Sequence, residues 1–291
     1  MIGVDWGTSS FRAYRFGIAG DVQEQVESPR GITTVEDGNF ARVLQEQIGA
    51  WLGAGETRVL MAGMVGSQQG WREAPYVPCP ATLGRLRDAV VSVPFASADV
   101  RIVPGLSHRD PFGVPEIMRG EETQLVGIRA DLAEAGLVCM PGSHSKWVHV
   151  TRGAVSGFST YLAGEAYAAL RGATILGRTM REGEPDIGAF GRGLVRSGEP
   201  GHLLHHLFGV RSLAVMGELG PEAGAYYLSG LLIGTEVRAA MPPGARVHLV
   251  GNASLCALYQ AAISACDGVA QIEEDGAAAR GLARIGETLW S

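Results

Sequence analysis

IGVDWGTSSFRAYRF, residues 2–16, is the stretch whose reading decides the fold. Ile2–Trp6 is apolar and Phe11–Phe16 alternates. Gly7–Ser10 between them holds small and hydroxyl residues, so the pattern predicts two short antiparallel strands joined by a turn. Asp21–Glu27, after a second turn at Gly17–Gly20, reads as a third strand. An Asp ending a strand just before Gly-Thr-Ser-Ser sets a carboxylate beside a cluster of backbone N–H and hydroxyl donors. Such a turn can hold a divalent cation on one side and phosphate oxygens on the other. Gly7 lets an anion approach the backbone. The same residue types also build an ordinary hairpin turn, and the stretch by itself is compatible with both.

Working outward, Phe40, Val43, Leu44, Ile48, Trp51 and Leu52 share one face at helical spacing. Arg58–Met64 reads as a buried strand running into the Gly-rich stretch Ala62–Gly70. Val100–Leu106 reads as one further strand, and Pro111–Pro115 as a connector. The grammar then restarts. Glu121–Asp131 predicts a helix, Leu137–Pro141 an apolar strand, and Lys146–Val150 with Val155–Thr160 a second meander. Helical patterns dominate from Leu162 to Met241. Val247–Gly251 is a strand that opens into a helix over Ala253–Ala265, and Gly276–Leu289 is a last helix.

The second half echoes the first. Gly142-Ser143-His144-Ser145 follows a strand just as Gly7-Thr8-Ser9-Ser10 does, and each turn is followed by a basic residue, Lys146 or Arg12. Two strand–turn–strand units of this kind suggest a duplicated α/β phosphate-binding fold. A boundary near Phe112 would give domains at 1–112 and 113–291, with the final helix packing back on the hinge.

Composition narrows the classes of function. The chain has 291 residues, 46% hydrophobic and 19% charged, with a formal charge of -6. That is a globular composition, not a disordered one. A weakly acidic chain without a basic run lacks the footprint of a nucleic-acid or anionic-membrane binder. Lysine is nearly absent, so arginine must carry most anion binding. Cys79, Cys139, Cys256 and Cys266 lack CxxC spacing and read as reduced thiols. The N-terminus enters a strand at once, without a signal peptide, and no apolar run reaches the ~20 residues of a membrane span. A cytoplasmic protein is expected. A homo-oligomer is compatible with the sequence, which does not fix the oligomeric state.

Two further segments carry chemistry. In Met118-Arg119-Gly120-Glu121-Glu122-Thr123-Gln124, the acidic pair suits a helix start by dipole alone. Equally, a carboxylate there could accept a hydroxyl proton while Arg119 holds an anionic group. In Val247–Ser254 a strand ends in a small-residue turn opening a helix, which offers N–H groups to a nucleotide. It is not the dinucleotide fingerprint. His202, His205 and His206 have no accompanying carboxylate or Cys and read as a helix face rather than a metal site. Nothing near Cys79 would lower its pKa, so it is not read as a nucleophile.

Together these segments resemble the sugar kinase/actin/Hsp70 superfamily, and more narrowly the 2-dehydro-3-deoxygalactonokinase (2-keto-3-deoxygalactonate kinase) family. The resemblance runs through DWGTSSFRAYRF at 5–16, SPRGITTV at 28–35 and VLMAGMVGSQQGWREAPYVPCPA at 59–81. It continues through MRGEETQLVG at 118–127, MPGSHSKWVHV at 140–150, LSGLLIGTEV at 228–237 and VGNASLCALY at 250–259. The family implies a two-domain actin-like ATPase (ribonuclease H-like) fold with an interdomain cleft, ATP and Mg²⁺, and phosphorylation of the 6-hydroxyl of 2-dehydro-3-deoxy-D-galactonate. By the same resemblance Asp5 would organise Mg²⁺, and Gly7, Thr8 and Ser9 would meet the phosphates. Gly142, Ser143, His144 and Ser145 would form a second phosphate loop, and Gly251, Asn252 and Ser254 would line the adenosine pocket.

Many related sugar kinases carry a catalytic Asp where this chain has Glu121 and Glu122; of the two, Glu121 is preferred as base. The second loop has His144 and Lys146 where several relatives use an acidic residue. Arg12, Ser67 and Arg119 are the candidates for the substrate carboxylate, with Trp71 as a wall. Arg12 is also readable as a solvated strand residue and Trp71 as core. A kinase for another sugar acid or a polyol, and a non-catalytic ATP-binding actin-like protein, are the alternatives; the intact Arg119–Thr123 segment speaks for catalysis.

Overall fold

The computed structural model describes residues 1–128 and 135–291. Strands β1 (Ile2–Trp6), β2 (Phe11–Phe16) and β3 (Val22–Ser28) form the expected meander. β1 and β2 run antiparallel with Asp5 opposite Arg12 and Trp6 opposite Phe11. Helix α1 (Phe40–Gly53) starts at Asn39, whose side chain accepts the Arg42 N–H, and it buries Phe40, Val43, Leu44, Ile48 and Trp51. That is the face its spacing predicts. Trp6, Phe11 and Phe40 meet edge-on within this core, which adds aromatic contact to the burial.

β4 (Arg58–Ala62) lies parallel to β1 and brings Ala62 opposite Asp5. After β5 (Tyr76–Pro78) and α2 (Leu83–Asp88) come β6 (Val91–Val93) and β7 (Asp99–Ile102). The six-stranded sheet has the order β3-β2-β1-β4-β7-β6. Next are β8 (Gly105–Arg109) and β9 (Pro115–Met118), which make a three-stranded sheet with β5. The expected single strand Val100–Leu106 is therefore two strands in two sheets. Val103 still donates its N–H to Met61, but Pro104 has no N–H to continue the ladder. The expected connector Pro111–Pro115 is largely the turn of the β8–β9 hairpin, where the Asp110 carboxylate accepts the N–H groups of Phe112 and Val114. Helix α3 (Glu121–Gly127) follows. The end of the expected helix, 129–131, lies outside the described residues.

The second half contains β10 (Ala135–Met140), β11 (Ser145–Thr151), β12 (Ala154–Tyr161), α4 (Ala163–Ala173), α5 (Ile187–Arg196), α6 (Leu203–Val215) and α7 (Ala223–Ala240). It ends with β13 (Arg246–Leu249), α8 (Ala253–Ala265), β14 (Val269–Ile272) and α9 (Ala277–Trp290). Its sheet runs β12-β11-β10-β13-β14, with β10, β13 and β14 parallel. This repeats the order β3-β2-β1-β4-β7 of the first sheet, so the echo in sequence is an echo in topology. β14 has no counterpart in the sequence reading; its four residues are mostly exposed and carry no clean alternation.

The chain divides into two compact units. One comprises Met1–Ala135, His149–Phe158 and Glu274–Ser291, the other Gly136–Val148 and Ser159–Glu273. The expected boundary near Phe112 falls inside the first unit because β9 pairs back onto β8. In that unit α9 packs on α3. A Cβ at Gly127 would lie 1.8 Å from the Ala277 carbonyl oxygen, and one at Gly281 would lie 1.8 Å from that of Thr123. Only glycine permits the two helix backbones to meet there, and this contact seats α3 and the carboxylates at its start. Among the described residues no helix is long and apolar enough to cross a membrane.

Candidate active site

In the first unit the site begins at the C-terminal end of β1. The turn after Asp5 closes through the Gly7 N–H donating to the Ser10 carbonyl at 2.9 Å. Segment 28–34 clamps it from behind. The Trp6 indole N–H donates to the Arg30 carbonyl at 2.8 Å, and the Ile32 and Thr33 N–H groups donate to the Gly7 and Thr8 carbonyls. The Thr33 hydroxyl also donates to the Thr8 carbonyl, at 2.9 Å. Gly31 presses so closely that a Cβ would sit 2.2 Å from the Thr8 oxygen. Thr8 and Ser9 themselves stay exposed, which leaves their hydroxyl and N–H groups available to a ligand.

The acidic pair at the start of α3 reaches this turn through a stack of glycines. A Cβ at Gly63 would meet the Trp6 carbonyl at 2.8 Å and an Asp5 carboxylate oxygen at 3.4 Å; one at Gly120 would meet the Gly63 Cα at 3.3 Å. Asp5 and Glu121 are consequently close enough to interact. Burial pushes the Asp5 carboxyl above its ordinary range, Arg12 opposes the shift, and Glu121 adds to it. Arg12 lies 4.0 Å from Asp5 and donates to Glu27 at 2.8 Å.

Glu121 and Glu122 differ sharply. A Glu121 oxygen accepts the Arg119 N–H at 3.0 Å, and the residue is partly exposed. Glu122 is 1% exposed, accepts the Gly120 N–H at 2.7 Å and the Thr123 hydroxyl at 3.2 Å. Burial, with Glu121 second, pushes its carboxyl up to about 8. Glu122 thus faces inward, with burial favouring its protonated form, while Glu121 lies on the Asp5 side.

Of the expected substrate residues, Arg119 donates to the Ala74 carbonyl at 2.7 Å and lies over the Tyr76 ring at 4.3 Å. Its Nε and Nη1 are buried without a hydrogen-bond partner among the described residues. Ser67 turns its hydroxyl to the Met64 carbonyl at 2.8 Å. Trp71 stacks on Phe40, with ring centroids 6.3 Å apart, and packs against the core; its role as core is the better supported one.

In the second unit the turn 142–145 follows β10. Ser143 and His144 are exposed, and the Glu165 N–H of α4 donates to the Ser143 carbonyl at 3.0 Å. The His144 ring bonds the Glu165 carboxylate. The Lys146 ammonium donates back to the His144 carbonyl at 2.9 Å and is almost fully buried. Ser145 faces the interior instead of the turn's outer surface: its hydroxyl lies 2.9 Å from the Tyr259 hydroxyl and 3.2 Å from Glu236.

Beside this turn is a hollow of about 240 Å³, mostly apolar, walled by α4, α7 and α8, with Gly142 at its edge. From α8 it takes Leu255, Leu258 and Tyr259, and not Gly251, Asn252 or Ser254, which stand exposed at that helix's N-terminal end. The Asn252 side chain is the helix cap, accepting the N–H groups of Ser254 at 3.0 Å and Leu255 at 3.2 Å. Tyr167, Tyr226, Ser229 and Leu258, which line the hollow, are not among the site residues expected from sequence. Their helical spacing looks like core in sequence and gives no sign of an opening. All four cysteines are free, Cys139 and Cys256 being buried. His206 is buried against the Pro200 carbonyl, and no group of three or more His, Cys, Asp or Glu residues suited to a metal occurs among the described residues.

A family model described as 2-keto-3-deoxy-galactonokinase matches residues 5–285. The 2-dehydro-3-deoxygalactonokinase of Escherichia coli (strain K12) is 38% identical over 292 residues, 98% of this chain and 96% of that protein. A crystal structure of a candidate 2-dehydro-3-deoxygalactonokinase from Sinorhizobium meliloti superposes with a TM-score of 0.89 at 35% identity, covering 99% of both chains. A carbohydrate kinase from Novosphingobium aromaticivorans, only 10% identical, shares the fold at a TM-score of 0.50 over 99% of this chain and 94% of its own. The chain thus has the actin-like fold of sugar kinases.

Proposed function

The chain belongs to the 2-keto-3-deoxy-galactonokinase family, and on that premise we propose that it transfers the ATP γ-phosphoryl group to the 6-hydroxyl of 2-dehydro-3-deoxy-D-galactonate. One observation carries the chemistry: the Gly63–Gly120 stack sets Glu121 beside Asp5 and the clamped turn 7–10, while Glu122 is turned inward. Glu121 is the general base. It accepts the proton of the attacking hydroxyl as the new P–O bond forms and the bond to the β-phosphate oxygen breaks, releasing ADP.

Thr8 and Ser9 are the phosphate-binding residues of the first unit; in the second unit the Gly142–His144 turn is the phosphate-binding segment. The adenosine goes to the hollow between α4, α7 and α8, with the N-terminal end of α8 at Gly251–Ser254 nearby in sequence. Arg119, held over the Tyr76 ring two residues before Glu121, binds the substrate carboxylate, and Arg12 lies beside Asp5. A magnesium ion with ATP would need only one or two carboxylates from the protein. A partly exposed Asp5 fits that donor set. When bound, the ion supplies positive charge to the triphosphate; Asp5 would hold it.

The test is an ADP-release assay with 2-dehydro-3-deoxy-D-galactonate, its C4 epimer and a panel of other sugar acids. The galactonate-derived acid is expected to give the highest kcat/KM. Glu121→Gln should keep fold and ATP binding and lose turnover by ~10²–10⁴-fold. A protein that phosphorylates no sugar acid, or a Glu121→Gln variant with full turnover, overturns the proposal.

A further inference from the structure

Glu236 is a buried carboxylate that the proposed chemistry leaves without a role. It lies in the LSGLLIGTEV segment of α7 and is 3% exposed. One oxygen accepts the Trp147 indole N–H at 2.8 Å; the other accepts the Tyr259 hydroxyl at 2.9 Å and lies 3.2 Å from the Ser145 hydroxyl. Ser145 is the last residue of the second turn and, like Trp147, belongs to β11, while Tyr259 comes from α8. One carboxylate therefore joins the turn to two of the helices that wall the neighbouring hollow, which Ile233 of α7 and Tyr259 of α8 both line.

The protons can be counted. An indole N–H only donates. Tyr259 gives its proton to Glu236, and Ser145 gives its own to Tyr259 or Glu236. An ionised Glu236 satisfies all three groups with nothing left over. Burying a carboxylate costs several kcal/mol before its partners are counted, and a hydrophobic residue of the same volume is often as stabilising. Stability alone is a weak reason for a glutamate here. Fixing a single geometry for the turn is a stronger one.

We propose that Glu236 is a positioning residue: through Ser145 it holds the 142–145 turn in the arrangement that receives the phosphates of ATP. The inference rests on that turn being the second phosphate loop, and the experiment separates the two ideas. Glu236→Leu keeps the volume but strands the buried Trp147 N–H and one of the two hydroxyl protons, the other still passing between Ser145 and Tyr259. It should raise KM for ATP about tenfold and leave KM for the sugar acid within about twofold. Glu236→Gln should recover most of the loss, because its amide oxygen accepts from Trp147 and the two hydroxyls can rotate to accept from its NH₂.

Gly142→Ala is measured alongside. A Cβ there meets no protein atom within 4 Å, so only a ligand would feel it. If Gly142→Ala leaves KM for ATP unchanged, the turn is not a phosphate loop. If it raises that KM while Glu236→Leu does not, or if Glu236→Leu raises both KM values alike, the positioning role is overturned. Should Glu236→Leu fail to fold, Ser145→Ala decides. It should raise KM for ATP severalfold, and adding Glu236→Gln should change little more. Full additivity, or no effect of Ser145→Ala, refutes the inference.

Discussion

Replacing Gly31 by alanine tests whether the position of the first turn matters to chemistry. Gly31 has φ of -63° and ψ of 170°, which any residue can adopt, so the substitution costs space and not backbone strain. The new Cβ would lie 2.2 Å from the Thr8 oxygen and 2.4 Å from the Ser9 Cα. Contacts below 3.0 Å essentially never occur, so the turn must retreat by about 0.8 Å. Both obstructing atoms are backbone, and no side chain can swing away. The retreat works against the three hydrogen bonds that Ile32 and Thr33 donate to the Gly7 and Thr8 carbonyls. Overpacking of this kind costs about 1–3 kcal/mol, a fall in Tm of roughly 2–10 °C.

A displacement near 1 Å at a reacting centre costs up to about 10²-fold in rate. Gly31→Ala should therefore remain folded and lose roughly 10–100-fold in kcat/KM in the ADP-release assay. Gly53→Ala is the control: its Cβ would meet nothing within 4 Å, and both Tm and kcat/KM should hold. A Gly31→Ala protein that loses Tm as expected but turns over at the wild-type rate would show that the 7–10 turn does not position the phosphates.

Glu122 predicts a pH dependence of stability. Its carboxyl rises from an ordinary 4.5 to about 8 on folding, so between those values the folded chain holds a proton that the unfolded chain has released. Stability should fall as pH rises through that window, by up to about 1.4 kcal/mol per pH unit from this group, and level off above it. Urea midpoints from pH 5 to 8.5 should fall less steeply in Glu122→Gln than in wild type; equal slopes would mean Glu122 is not the protonated group. Asn252→Ala removes the acceptor of two N–H groups at the start of α8 and should cost about 1 kcal/mol in urea unfolding. An unchanged midpoint would show that the cap is not needed.

The sequence by itself determined the elements whose reasons are local. The β1–β2–β3 meander follows from alternation and small-residue turns, the buried face of α1 from its spacing, and the opening of α8 from the small-residue turn before it. The two hydroxyl turns announced the duplication that the sheet orders display. Pro104 could have split the Val100–Leu106 run on sequence alone, since it cannot donate to a ladder.

Which way a side chain faces was settled only in three dimensions, because its partners lie far along the chain. Glu121 and Glu122 are adjacent and chemically alike; the packing of α3 on α9, more than a hundred residues later, buries one and leaves the other beside Asp5. Ser145 reads as a loop hydroxyl until Glu236, 91 residues away, takes it inward. The hollow next to Gly142 is built from helix faces whose periodicity is that of any core, since apolar spacing records that a face is covered but not whether protein or ligand covers it.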